Sequence, residues 1–279
     1  METMLRFMKD IYRWVLRLPR AGKKQTSKAQ NAEFLFLIKD YLDERGLLCE
    51  SSIDKAICER ENGKTYNLSD HVRGLIYSLL TNQTSWKRIV PHLEEVDEIF
   101  YQYDIKRIKA CPSSHFSDAL FSIKCGNRKT SAQMDALHDN IAVFERIIAE
   151  YGSMDTFVTS APAHEIVTAL SASNSEYKLR QVGEALAWEY IRNVGIDGAK
   201  PDLHLRRFFG RNRLAASAHD SASVSEVINA VSELSKATGL SMAAIDNLIW
   251  SYCADGYGEV CTATPFCAEC VIRDYCKHD

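Results

Sequence analysis

The sequence LRQVGEALAWEYIRNVGIDGAKPDLHLRR occupies residues 179–207 and is the most informative part of the chain. Its apolar residues recur at intervals of three and four, which predicts an amphipathic helix that ends at a glycine-containing loop, 195–198. Gly183 stands at the opening of that helix, where a glycine lets the backbone approach a phosphate and present its N–H groups. Asp202 precedes a second helix that begins near Leu203, and aspartate is a preferred N-cap residue. The segment therefore predicts a helix whose start suits an anion, followed by a helix with an acidic cap.

The same helical periodicity dominates the rest of the chain. Apolar stripes predict further helices, at 72–80, 86–93, 134–151, 160–170, 224–231 and 242–249. Ser69 or Asp70 is placed to cap the first of them. No segment alternates at period two, so we expect little or no β-sheet. A composition of 46% hydrophobic and 25% charged residues is typical of a folded soluble protein, and the predicted fold class is all-α.

Basic side chains are concentrated at the N-terminus. The net charge is −3, yet residues 1–30 carry eight basic and two acidic side chains. Such an arm on an acidic body either reaches phosphates or an anionic membrane surface, or is a solvated terminus, and the sequence leaves both open. Charges interrupt the amphipathic segment 4–18, and no apolar run approaches the ~20 residues of a membrane span. We therefore expect a soluble, cytoplasmic protein.

Four of the nine cysteines lie close together near the C-terminus: Cys261, Cys267, Cys270 and Cys276. An odd number of cysteines in a chain without a secretion signal argues against a disulfide scaffold. Thiolates separated by five, two and five residues can converge on one centre, and four thiolates suit either a [4Fe–4S] cluster or a tetrahedral Zn²⁺. Reduced, free cysteines are the third interpretation.

This cysteine loop resembles the iron–sulfur loop of the endonuclease III and adenine-DNA glycosylase family, whose pattern is C-x6-C-x2-C-x5-C. The last two gaps match, the first is one residue shorter here, and Cys253 is a spare ligand. The helix-hairpin-helix pattern of the family, L-P-G-V-G-x-K-x-A, corresponds to residues 179–187, although Arg-Gln replaces Pro-Gly. Its V-D-T-H-[VI]-x-R pattern corresponds to residues 201–207. Residues 171–178 look like an insertion before the hairpin.

The resemblance covers residues 64–279 and implies a two-lobed helix-hairpin-helix glycosylase fold. A six-helix barrel with the hairpin would occupy residues 64–197. An iron–sulfur cluster lobe would combine residues 31–63 with 198–279, apart from the basic arm at 1–30. The resemblance further implies a [4Fe–4S] cluster on the four loop cysteines, and double-stranded DNA lying across the cleft between the lobes.

Two motifs imply contacts with that DNA. The hairpin residues Arg180, Val182 and Gly183 would bind a phosphate, which holds a duplex in register without reading its sequence. The sequence LLTNQ at residues 79–83 is similar to the family motif L-L-S-A-Q, whose glutamine fills the gap left by an extruded nucleotide. Gln83 is therefore the predicted base-flipping residue, and the alternative is an ordinary polar helix end.

Asp202 carries the chemistry in this interpretation. Breaking a base–sugar bond builds positive charge on the sugar, which a nearby carboxylate stabilises while it orients or deprotonates water. The alternative is a helix N-cap without a catalytic role. His204 and Arg207 match the family pattern too, and we expect them to support the site or the helix rather than to react.

The residue at position 185 bears on the type of reaction. Family members that also cut the strand use a lysine in this column to form a Schiff base with the sugar. Ala185 has no amine, which predicts a monofunctional enzyme. Lys178 and Lys200 lie nearby in the sequence, so a relocated lysine that gives lyase activity stays open.

The predicted function is hydrolysis of the N-glycosidic bond of a damaged or modified base in DNA by a monomer, leaving an abasic site. One alternative is a bifunctional glycosylase that uses the relocated lysine. Another is a DNA-binding relative that has lost catalysis, and a third is a zinc-stabilised helical module unconnected with DNA. The sequence does not identify the excised base.

Overall fold

The computed structural model describes residues 32–49 and 51–278, so the predicted basic arm at 1–30 lies outside the described residues. These residues form α-helices joined by turns and loops, and they contain no β-strand, which confirms the all-α prediction. The α-helices are α1 Glu33–Arg45, α2 Ser52–Glu61, α3 Leu68–Leu80, α4 Trp86–Ile89, α5 Leu93–Ile99, α6 Ile105–Ala110, α7 Ser113–Ser122, α8 Thr130–Asp135, α9 Leu137–Tyr151, α10 Met154–Val158, α11 Ala163–Ser171, α12 Glu184–Asn193, α13 Leu203–Phe208, α14 Val224–Thr238 and α15 Met242–Cys253. Short 3₁₀ turns occur at Val90–His92, Tyr101–Tyr103, Cys267–Glu269 and Arg273–Tyr275.

Helix α3 lies at the centre of the larger hydrophobic core, whose residues fall between positions 56 and 194. It begins with a capping box, in which Asn67 accepts a hydrogen bond from the backbone N–H of Asp70 while the Asp70 carboxylate accepts one in return. The sequence predicted Ser69 or Asp70 as the cap, so the observed cap lies earlier. Asn67 takes this role because its extended backbone directly precedes the first helical residue, Leu68.

Helices α3 and α12 pack closely along their length. A Cβ atom at Gly74 of α3 would lie 3.1 Å from the side chain of Val194, so the glycine permits the close approach of the two helices. Further along, the hydroxyl of Ser78 donates a hydrogen bond of 2.6 Å to the backbone carbonyl of Leu186 in α12. This packing fixes the end of α3 beside the beginning of α12.

A second core combines residues from both ends of the described chain. It contains buried residues between positions 34 and 42, and between 199 and 272, contributed by α1, α13, α14, α15 and the C-terminal loop. The ring of Tyr41 in α1 meets that of Tyr252 in α15 edge to face, with centroids 5.5 Å apart. Helix α1 thus packs on α15 although the two are far apart in sequence.

Helix α2 connects the two cores. Its Ala56 belongs to the larger core, whereas Ile53 and Ile57 pack against Ala243 of α15. The chain crosses back to the second core after α12, through residues 194–202. The two lobes therefore share a boundary on which α2, α12 and α15 meet.

Two predicted helices are divided in the structure. The stripe at 86–93 forms α4, the 3₁₀ turn Val90–His92, which contains Pro91, and the start of α5. The apolar stripe at 134–151 predicted a single helix, but α8 and α9 are separated at Ala136, where ψ is −8° and the α-helical hydrogen-bond ladder is interrupted. Among residues 32–49 and 51–278, no helix combines the length and apolar character that crossing a membrane requires.

Candidate active site

A cleft of about 890 Å³ opens between the two cores. One wall comes from the turn after α3, residues 81–86, and from α12. The other comes from residues 200–207 and from α15, between Asp246 and Cys253. Gln83, Ala185 and Asp202, which were singled out from the sequence, all line this cleft.

Asp202 caps helix α13. Its Oδ1 atom accepts hydrogen bonds from the backbone N–H groups of His204 and Leu205, at 2.8 and 3.2 Å. Asp202 is therefore the N-cap residue of α13, which its position in the sequence predicted. Neither bond uses Oδ2, so the cap leaves one carboxylate oxygen for another role in the cleft.

His204 and Arg207 contact each other on the helix that Asp202 caps. The Nη2 atom of Arg207 lies 3.4 Å from Nδ1 of His204, whose ring meets Trp250 edge to face. Burial lowers the pKa of His204 below its usual value, which favours the neutral ring. The Nε atom of Arg207 is buried and has no hydrogen-bond partner among the described residues. Both residues line the cleft together with Asp202.

Buried charges cross the floor of the cleft. The Arg192 guanidinium of α12 lies 2.5 Å from Asp246 of α15 and 3.3 Å from Glu189. The ammonium group of Lys200 lies 3.9 Å from the Glu189 carboxylate, and it donates a hydrogen bond of 2.9 Å to the hydroxyl of Thr81. Burial raises the pKa of Asp246 to about 7.

Sequence reasoning missed Glu189, Arg192 and Asp246. Each occupies the apolar face of a predicted helix: Glu189 and Arg192 lie among the buried residues of α12, and Asp246 among those of α15. Charged residues are almost never fully buried unless they are paired. A charge inside an apolar stripe was therefore the available signal for a buried ion pair.

Gln83 lies in the turn that follows α3. It has a positive φ of 58°, a backbone conformation that is uncommon for a residue other than glycine. Asn127 donates hydrogen bonds to Asn82 and Thr84 on either side of it, and Arg128 donates a bond of 2.6 Å to the Gln83 side chain. The turn thus holds an exposed glutamine at the mouth of the cleft in a strained conformation, a feature common at functional sites.

The hairpin residues lie between α11 and α12, outside the cleft lining. Gly183 is the N-cap of α12, and its Cβ position faces open space. The Val182 side chain is buried, so this residue offers only its backbone to a ligand. Arg180 is exposed and pairs with Asp139. The structure therefore places these three predicted phosphate contacts on one turn.

Asn140 anchors that turn and was also missed from the sequence. Its side chain accepts a hydrogen bond of 2.7 Å from the backbone N–H of Arg180 and donates one of 3.0 Å to the Arg180 carbonyl. Asn140 is fully buried in α9. A buried polar side chain on an otherwise apolar helix face was the signal in the sequence.

Hydrogen-bond donors surround the sulfur atoms of the C-terminal loop. Cys261 accepts a bond of 2.8 Å from Arg213, and Cys270 accepts one of 3.5 Å from the hydroxyl of Tyr252. The Cys276 sulfur accepts a bond of 3.4 Å from a backbone N–H. Such donors to sulfur are typical of iron–sulfur sites.

The same loop does not form a site for a single ion. Among residues 32–49 and 51–278, no three His, Cys, Asp or Glu side chains are close enough together to hold one metal ion. Cys253 lies beside Cys261 and donates a hydrogen bond to its sulfur. The four cysteines therefore share one loop and suitable donors without converging on one point, and the cluster stays a prediction.

The chain is similar in structure to two solved proteins, although no protein-family model and no curated protein sequence matches it. The first is the Methanocaldococcus jannaschii 8-oxoguanine glycosylase/lyase in complex with a 15mer DNA that contains 8-oxoguanine. It is 16% identical, with a TM-score of 0.51, and the match covers 79% of this chain and 96% of that chain. The 8-oxoguanine DNA glycosylase of the same organism is 19% identical, with a TM-score of 0.48 over 79% and 94% of the two chains. The first likeness shows that this chain shares the fold of that glycosylase/lyase.

Proposed function

We propose that this chain, which has the fold of helix-hairpin-helix DNA glycosylases, removes a damaged or modified base from double-stranded DNA. The observation that carries the proposal is that Asp202 and Gln83 line one cleft from different lobes. Such a reaction needs a carboxylate that stabilises the charge on the sugar. It also needs a side chain at the cleft mouth that fills the gap left in the duplex by the extruded nucleotide.

Asp202 acts on the sugar in this proposal. As the base–sugar bond breaks, the sugar acquires oxocarbenium character, and the Asp202 carboxylate stabilises that charge. Oδ1 is occupied by the backbone of α13, which leaves Oδ2 to orient the attacking water or to accept its proton. The two backbone hydrogen bonds also hold the carboxylate in place, so that it is positioned before the reaction begins.

Gln83 acts on the duplex. The target nucleotide must leave the base stack before its glycosidic bond can enter the cleft, and this costs a few kcal/mol of unstacking and unpairing. The Gln83 side chain would occupy the gap in the stack. The hairpin would hold the duplex at the same time, through the backbone of Val182 and Gly183 and through the charge of Arg180.

The iron–sulfur assignment is part of the proposal. We propose that Cys261, Cys267, Cys270 and Cys276 ligate a [4Fe–4S] cluster, and the donors from Arg213 and Tyr252 to two of these sulfurs support it. The cluster would cross-link the loop between Cys261 and Cys276, with no part in breaking the glycosidic bond.

Base release with a matched pair of variants tests the proposal. Wild type, Asp202→Asn and Asp118→Asn are incubated with a duplex that contains 8-oxoguanine, the base named for the similar M. jannaschii structure, and then with oxidised, deaminated, alkylated and phage-modified DNA. Free bases are identified by mass spectrometry. Asparagine is as good an N-cap as aspartate, so Asp202→Asn keeps the fold. Asp118 is exposed on α7 and serves as the control.

We expect wild type and Asp118→Asn to release one base. Asp202→Asn should release the same base at least about 100-fold more slowly. DNA affinity should be retained in all three proteins. Tight, salt-sensitive duplex binding without base release from any DNA would contradict the proposal and favour a DNA-binding relative that lacks catalysis. Absence of both would favour a helical module unconnected with DNA.

A further inference from the structure

The cleft contains an amine, although Ala185 in the lysine column has none. Ala185 and Lys200 both line the cleft, and Lys200 is the one lysine among its described lining residues. The other relocated candidate, Lys178, instead donates a hydrogen bond to the carbonyl of Val182 within the hairpin. The prediction of a monofunctional enzyme depended on position 185 alone, whereas the structure brings a lysine to the same cleft from another segment.

Lys200 is held firmly at both ends. Its backbone N–H donates a hydrogen bond of 2.8 Å to the Asp246 carboxylate, and its carbonyl accepts one of 2.7 Å from the N–H of Asp202. Its side chain is 16% exposed and reaches across the cleft floor to Thr81 on the other lobe. The amine is therefore fixed between the residue that would stabilise the sugar charge and the turn that carries Gln83.

We propose that the Lys200 amine is a nucleophile of this cleft, which forms a Schiff base with C1′ of the sugar and cuts the DNA strand by β-elimination. This inference rests on the proposed glycosylase function and deepens it, because it adds a second reaction at the same site.

Glu189 provides the proton transfers that the first step requires. An ammonium group is not nucleophilic, so Lys200 must first give a proton to the neighbouring Glu189 carboxylate. The free amine then adds to the C1′ aldehyde of the abasic sugar and forms the carbon–nitrogen bond. Glu189 returns the proton to the departing hydroxyl, which leaves as water, and the product is a protonated imine.

The second step breaks the strand. The imine acidifies C2′, and the Glu189 carboxylate accepts the C2′ proton. The electron pair of that C–H bond forms the C2′–C3′ double bond as the C3′–oxygen bond breaks, and the phosphate leaves with the bonding pair. Water then hydrolyses the imine, which restores the Lys200 ammonium group and leaves an unsaturated aldehyde at the 3′ end of the upstream fragment. The departed phosphate is the 5′ end of the downstream fragment, and Glu189 passes its proton to solvent.

Trapping the imine tests Lys200 directly and needs no knowledge of the excised base. Wild type is mixed with a duplex that contains a single abasic site, in the presence of sodium borohydride, which reduces the imine to a stable amine. Covalent protein–DNA complexes are quantified on denaturing gels, and the modified peptide is located by mass spectrometry. Strand breaks are scored without alkali in parallel samples that lack borohydride.

Two substitutions separate the chemical role of Lys200 from a structural one. Lys200→Arg keeps the positive charge and the donors to Thr81 and Glu189, but a guanidinium that stays protonated does not form the imine. Lys178→Arg removes the amine of the other relocated candidate and keeps a donor to the carbonyl of Val182 in the hairpin. Circular dichroism melts confirm that each variant is folded, and gel-shift titrations confirm that it binds the abasic duplex.

We expect wild type and Lys178→Arg to form the covalent complex and to cut without alkali, with the adduct on Lys200. Lys200→Arg should lose both while it remains folded and bound to DNA. Trapping by Lys200→Arg at the wild-type level, or an adduct on another residue, would overturn the inference. If wild type releases a base but never traps, the Lys200 inference fails and the glycosylase proposal stands. If wild type neither releases a base nor binds abasic DNA, both fail.

Discussion

The carboxylate of Asp246 lies 2.5 Å from the guanidinium of Arg192, and this ion pair joins the two lobes beneath the cleft. The two side chains are 4% and 6% exposed, so the pair is removed from water. Asp246 also accepts the hydrogen bond from the backbone of Lys200, two residues before Asp202. The ion pair therefore positions the segment that carries the proposed chemistry, and its protonation state should affect stability.

The first prediction concerns the pH dependence of stability. Burial raises the pKa of Asp246 to about 7 in the folded protein, against 3.8 for the unfolded chain. Between these values the folded state holds a proton that the unfolded state has lost, so the contribution of Asp246 is present below pH 3.8 and is lost as the pH rises towards 7. The unfolding free energy of wild type, relative to Asp246→Asn, should fall between pH 5 and 7 by at most about 1.4 kcal/mol per pH unit.

Urea unfolding of both proteins at pH 5, 6, 7 and 8 measures this difference. Burial lowers the pKa of His71 below its usual value, which gives the opposite slope, but His71 is present in both proteins and its effect cancels. Asp118→Asn, on the surface, should run parallel to wild type. Parallel curves for wild type and Asp246→Asn would show that the Asp246 pKa is not raised.

The second prediction separates the Gln83 side chain from its backbone strain. Glycine adopts a positive φ without steric cost, so Gln83→Gly should keep the turn while it removes the side chain that fills the stack. Base release from duplex DNA should slow about 10- to 100-fold, because no side chain then fills the gap in the stack to offset the few kcal/mol that unstacking and unpairing cost. Single-turnover kinetics on paired and single-stranded substrates measure the effect, which should be much smaller on the single strand.

Gln102→Gly is the matched control for this experiment. Gln102 is also an exposed glutamine with positive φ, at 52°, and it lies outside the cleft lining. Both variants relieve the same kind of backbone strain, so any common change in stability cancels. Equal slowing by both variants would contradict a role for Gln83 in the duplex.

Local features of this fold were predictable from the sequence, because apolar periodicity and caps depend on neighbours in the chain. The stripe from Leu179 to Tyr190 predicted α12, and the position of Asp202 predicted the N-cap of α13. The division at Ala136 was not predictable, since the apolar stripe continues through it without a glycine or proline.

The polar floor of the cleft was not predictable for a different reason. Lys200 meets Asp246 across 46 positions and Thr81 across 119, so each pairing depends on how the lobes pack. The sequence indicated only that the charge of Asp246 falls on an apolar helix face. It did not indicate which partner neutralises that charge, and a lysine in the cleft could only be proposed as a relocated residue.

The third prediction concerns the metal content of the cysteine loop. Protein purified without oxygen should contain iron and acid-labile sulfide, and Cys267→Ser should lose both together with thermal stability, because serine replaces one thiolate ligand. Cys58→Ser is the control, since Cys58 lies on α2, far from the loop in sequence, and is also partly exposed. Elemental analysis and thermal melts measure the outcome. Zinc without sulfide, or the same metal content in Cys267→Ser as in wild type, would contradict the iron–sulfur assignment.

The fourth prediction tests the hairpin as a phosphate site. Arg180 is 61% exposed and pairs with Asp139, and Arg211 is 60% exposed and pairs with Asp220, so the two arginines form a matched set. If Arg180 neutralises one phosphate, Arg180→Ala should weaken duplex binding and lower the slope of log K against log salt by about 1, because one fewer counterion is released. Arg211→Ala should leave the slope unchanged. Fluorescence titrations at several salt concentrations measure both slopes. An equal decrease of the slope in the two variants would contradict a phosphate site at the hairpin and would indicate a general effect of positive charge.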